Sequence, residues 1–130
     1  MFYNMSIKHF GIIFLFVILL LACGQKEETI VGEWRGKNHS GQDIGWFFDG
    51  MGKAVSTKGG TAQDMFYSTD DSKTPHHLNL NSTVDTNTLR AIYQFTEKGK
   101  LVIGINNDLV TKRPGGFEEK GVQKLILTRK

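Results

Sequence analysis

Two adjacent histidines, His76 and His77, are the most obvious place to look for a metal ion. They lie in "HHLNLN", where Leu78 and Leu80 alternate with Asn79 and Asn81 as in a half-buried strand. Neighbours on a strand point to opposite faces, so one ion cannot easily take both rings. His39, Ser40 and Asp43 have types suited to nucleophilic catalysis. They fall within one short turn, and no Gly-x-Ser-x-Gly elbow presents the serine. Asp70-Asp71 and Glu118-Glu119 are acidic pairs in polar loops, without the spacing of a calcium loop. None of these groups builds an enzyme site, so no catalytic residue, metal or cofactor is assigned. The remaining reactive side chain is the single cysteine, Cys23, which rules out an intramolecular disulfide and a Cys-rich zinc site.

Cys23 stands where an apolar run meets a charged one. Lys8 and His9 precede the run Phe10 to Ala22, FGIIFLFVILLLA, which is shorter than the roughly 20 residues of a membrane span and has the shape of a secretory signal. Its last residues, Leu20-Leu21-Ala22-Cys23, resemble the lipobox of bacterial lipoproteins. The resemblance implies that residues 1–22 are a cleaved signal and that the Cys23 thiol takes up a diacylglyceryl group and becomes the new N-terminus. Two or more acyl chains anchor firmly where one does not. Gly24 rather than Asp follows the cysteine, which by the same resemblance favours the outer membrane of a two-membrane cell. Residues 23–29 read as the lipidated cysteine and a polar tether, and residues 30–130 as one domain.

The chain has 130 residues and a formal charge of +3. No dense Lys/Arg face marks a nucleic-acid binder. About 107 residues follow Cys23, enough for a modest core. From Ile30 onward the apolar residues repeat every second position between turn-rich separators. The pattern predicts eight strands: Ile30–Lys37, Ile44–Asp49, Lys53–Lys58, Asp64–Thr69, His76–Asn81, Leu89–Thr96, Leu101–Ile105 and Val122–Arg129. A short helical turn is expected near Asn81 to Thr88. The clearest hairpins are "FFDGMGKAV", with Asp-Gly as a two-residue turn, and "FTEKGKLVI", with Gly99 in the turn. Short, evenly spaced strands with tight turns predict an all-β sandwich or up-and-down barrel, and with the resemblance described below the expected fold is a small eight-stranded antiparallel up-and-down barrel. Trp34, Trp46, Phe48, Tyr67, Tyr93 and Phe95 are among the inward candidates. Their bulk argues for a filled interior with any cavity near one mouth.

"IVGEWRG" places Gly32 and Trp34 in the Gly-x-Trp arrangement that is similar to the first strand of lipocalin-like barrels. Arg129 shares a strand face with Leu125 and Leu127. The resemblance implies that Arg129 packs over Trp34 and closes one barrel end by a cation–π contact. The segments "SKTPHHLNL", "AIYQFTEKGKLVIGI", "RPGGFEEKG" and "KLILTRK" resemble a family of uncharacterised bacterial lipocalin-like domains, which implies a fold but no activity. In "TKRPGGFEE", Pro114 extends Arg113 and the two glycines allow a reversal that brings Phe117 over one barrel end. Arg113 either contacts an anionic ligand or caps carbonyls of a fixed loop.

Two functions follow as expectations. In the first, a lipid-anchored barrel of the cell envelope takes a small apolar or amphipathic ligand, with Trp46, Phe48, Tyr93, Arg113 and Phe117 as contacts. In the second, a filled barrel meets another envelope protein, with outward Phe47 and Phe66 as the patch.

Overall fold

The computed structural model describes residues 28–130. The signal segment, Cys23 and most of the tether lie outside the described residues. Eight strands follow one another: β1 (Gly32–Lys37), β2 (Asp43–Phe48), β3 (Lys53–Lys58), β4 (Thr61–Asp70), β5 (His76–Ser82), β6 (Thr88–Phe95), β7 (Leu101–Asn106) and β8 (Val122–Arg129). Each pairs antiparallel with its sequence neighbour, and β8 returns to β1, giving a closed up-and-down barrel.

The register fixes which side chains point inward. Trp34 pairs with Trp46 and with Arg129; Phe48 with Ala54; Leu80 with both Tyr67 and Leu89; Tyr93 with Ile103. Trp34, Phe48, Leu78, Leu101, Ile103 and Leu127 are completely buried. The core also takes Ala54, Met65 and Ala91, small or flexible side chains that leave room for the aromatics. Trp46 stacks on Phe48 at 5.7 Å and Phe48 meets Tyr67 edge-on at 5.0 Å. On the opposite wall Tyr93 contacts both His76 and Phe95, and Phe95 lies 6.2 Å from Trp34. These rings fill the middle of the barrel.

Three local expectations are corrected. The β2–β3 hairpin is not a two-residue Asp-Gly turn. Asp49 N–H donates to Lys53 O, so the loop is Gly50-Met51-Gly52, and the positive φ sits at Gly52. Asp49 instead uses its carboxylate, accepting from the Met51 and Lys53 amides at 2.8 Å each. Strand β4 begins at Thr61, because Gly59 and Gly60 both take positive φ and reverse the chain in two residues. No helical turn forms between β5 and β6; β5 runs to Ser82 and β6 starts at Thr88.

Candidate functional site

The two barrel ends differ. At the end where β1 begins, hereafter the closed end, residues 28–31 cross the opening. Ile30 is buried as a plug, and its carbonyl accepts a 2.8 Å bond from the Trp34 indole Nε1–H. The Arg129 guanidinium lies 4.2 Å over the Trp34 ring. Its Nη1 donates to Val31 O at 2.9 Å and its Nη2 to Thr29 O at 3.0 Å. A Cβ on Gly32 would collide with that guanidinium, and Gly32 has φ 134°, a conformation side chains disfavour. The structure therefore brings together Gly32, Trp34 and Arg129, with Ile30 added.

At the opposite, open end the inward positions change character. Ile44, Trp46, Leu89 and Ile105 are half-buried and rest on the core. Ser56, which pairs with Trp46 and Gln63, and Gln123, which pairs with Ile105, add polar groups on the same face. Below them Met65 keeps 9%, Leu80 3% and Leu125 7% of their surface, whereas Trp34, Phe48 and Leu127 keep none. Solvent thus reaches from the open end down to one layer of side chains and stops. The result is a shallow cup with an apolar wall and a few hydrogen-bonding groups at its rim.

The segment 107–121, between β7 and β8, forms a strap on the outer wall. β6 pairs with β7 only from Ile92 to Phe95. Next to that pairing Arg90 N–H donates to Val110 O at 2.9 Å, so the strap takes over from the β7 edge. Arg113 reaches the β5–β6 pair, where Nη1 donates to Ala91 O at 2.7 Å and Leu78 O at 3.4 Å, and Nη2 donates to Asn79 Oδ1. Arg113 thus caps carbonyls and an amide. Burial, with Arg90 nearby, lowers its pKa from the ordinary arginine value. His77 faces the same cluster, and burial followed by the Arg113 charge lowers its pKa. Phe117 is not a plug over a barrel end. It packs on the outside, where a Cβ on Gly104 would come within 3.1 Å of its ring and 2.9 Å of Ile92. Gly104 vacates the seat that Phe117 occupies.

Among the expected ligand contacts, Trp46 alone lies at the cup. Phe48 is fully enclosed by Trp46 and Tyr67, and so has no surface to offer. Tyr93 is 4% exposed, and burial pushes its phenol above the ordinary tyrosine value. It lines a cavity of about 420 Å³ at the closed end, together with Glu28, Ile30, Asp71 and His76. His76 and His77 diverge: His76 packs on Tyr93 inside, and His77 lies outside opposite Asp70. His39 contacts Gln123 across 2.8 Å while Asp43 pairs with Lys37, so the turn assembles no catalytic group. Sequence reasoning missed Ser56, Gln63 and Gln123 at the rim, since their common face exists only in the closed register.

No protein-family model, curated protein or solved structure matches the chain.

Proposed function

We propose that the protein is a lipid-anchored, lipocalin-like barrel of the bacterial cell envelope that takes a small apolar or amphipathic ligand into the cup at its open end. One observation carries the reading: Ile44, Trp46, Leu89 and Ile105 stay half-exposed above a floor of buried side chains that includes Met65, Leu80 and Leu125. Apolar walls with few polar groups suit the end of an acyl or ring-bearing molecule. The cup is shallow, so the ligand inserts a tip and leaves the remainder outside. Membrane attachment rests on the run Phe10 to Ala22 and on Cys23, which is expected to be acylated.

Titration of the purified chain with a fluorescent polyene fatty acid tests the binding reading. Saturable binding that Trp46→Ala weakens by about tenfold or more, roughly 1.4 kcal/mol, is expected. Binding unchanged by that substitution would remove the cup from consideration. For the anchor, metabolic labelling with a fatty-acid probe should mark the wild-type chain and leave Cys23→Ser unmarked.

The packed middle of the barrel favours a second reading, in which the barrel is a structural module that meets an envelope protein. A chain that purifies from its host without ligand, and binds no fatty acid, supports it.

A further inference from the structure

Four of the large apolar side chains left exposed gather at one place. Val31 is 38% exposed, Phe47 47%, Met51 88% and Phe66 48%. Gly32, the residue after Val31, pairs with Phe48 next to Phe47. Phe47 pairs with Val55, and Lys53 with Phe66. Phe47 and Phe66 line one outer groove of about 340 Å³ across β2–β4, and Met51 is the tip of the β2–β3 hairpin beside it. All four therefore sit at the closed end of β1–β4. The described chain also starts there, with residues 28–31 laid across that end.

We propose that this closed-end surface docks on the lipid bilayer, resting on the reading that Cys23 is acylated. Six residues, Gly24 to Thr29, separate Cys23 from the plug residue Ile30, and the seven steps between them span at most about 25 Å. An acylated Cys23 holds the closed end within that distance of the membrane. The exposed apolar side chains at the same end then have an apolar medium to enter. Leu109 and Val110 are also exposed, but they lie in the strap that follows β7 at the open end, away from the tether, and Val84 follows Thr83, which lines the far side of the same groove. The hairpin tip is suited to shallow immersion because three of its amides, those of Asp49, Met51 and Lys53, are already satisfied. Asp49 Oδ1 accepts from Met51 and Lys53, and Asp49 N–H donates to Lys53 O. The Lys53 cation stands at the same end, where headgroup phosphates would meet it, while the Lys130 ammonium lies 3.5 Å from the Glu33 carboxylate. The cup then faces away from the membrane.

The full chain, carrying a nitroxide at Met51→Cys or at Leu109→Cys, is bound to vesicles of phosphatidylethanolamine and phosphatidylglycerol. Acylated Cys23 cannot react with the label, so the number of nitroxides per chain reports the anchor independently. One label per chain, with position 51 open to membrane-dissolved oxygen and shielded from a water-soluble nickel complex, and position 109 the reverse, is the expected result. Adding Phe47→Ser and Phe66→Ser should return position 51 to water. One label per chain with both positions in water would overturn the docking and leave the anchor standing. Two labels per chain and no vesicle binding would remove the anchor and the docking with it. Shielding of position 51 before vesicles are added would assign the surface to residues 10–22 or to a protein partner instead.

Discussion

Arg129 at the closed end bonds to backbone carbonyls 98 and 100 positions away, while two turns of the open end close on themselves by contacts two to four residues long and meet distant strands through side chains such as His39, which contacts Gln123. Asn38 closes the β1–β2 turn by accepting from Ser40 and Gln42, and buried Asn106 starts the strap by accepting from Asp108 and Leu109. Local turns of this kind tolerate change without disturbing the layers below. A cross-chain lock does not, because each of its partners is shaped for the others. The contrast suits a barrel that is sealed and oriented at one end and adjustable at the other.

Trp34→Ala tests the contrast most severely. It empties a fully buried site beneath Arg129, and urea unfolding should register a loss of about 3–5 kcal/mol. The same change at half-buried Trp46 should cost roughly half as much. Equal losses would mean that the two ends are equally packed. Arg129→Lys keeps the charge but cannot fork onto two carbonyls while stacking on the indole. A loss of about 1–2 kcal/mol is expected, and Gly32→Ala should cost at least about 1 kcal/mol through its positive φ and the displaced guanidinium.

Arg113→Lys sharpens the open-end half of the comparison. It should cost about 1–2 kcal/mol and speed hydrogen exchange at the Arg90 amide, which bonds to the strap. Unchanged exchange would show that the strap is held without Arg113. The smallest effect belongs to His77. Its folded pKa is lowered by burial and by Arg113, so the unfolded chain binds the proton more readily. Its contribution is therefore present above the ordinary histidine value of 6.5 and lost as pH falls below it. His77→Gln should flatten the loss of stability on mild acidification; an unaltered pH profile would separate His77 from the Arg113 cluster.

Much of the barrel is legible in the alternation itself. Ile44, Trp46 and Phe48, or Leu101 and Ile103, have one face to bury, and period two leaves no choice of face. Lys53–Lys58 and Val122–Arg129 have the bounds that the pattern predicts. What escapes the pattern depends on register or on the outer wall. Asp-Gly reads as a two-residue turn, yet Gly52 supplies the positive φ and Asp49 a side-chain bond. Phe117 reads as a plug because nothing local marks its seat. A glycine inside the apolar strand LVIGIN was the available clue, since such a residue marks close approach by another group. Arg90, His77 and Arg113 meet only once β5, β6 and the strap are assembled. The cup rim is likewise drawn from β3, β4 and β8.

The clasp between the first and eighth strands also sets an order of events for a newly made chain. Hairpins β2–β3 and β6–β7 can form from neighbours within microseconds. The ring cannot shut until its final strand has left the ribosome, because the guanidinium that covers the indole arrives with it. Until then β1 offers an unpaired edge, the kind of surface that recruits foreign strands. A chain shortened by its last few residues would remain in that vulnerable form.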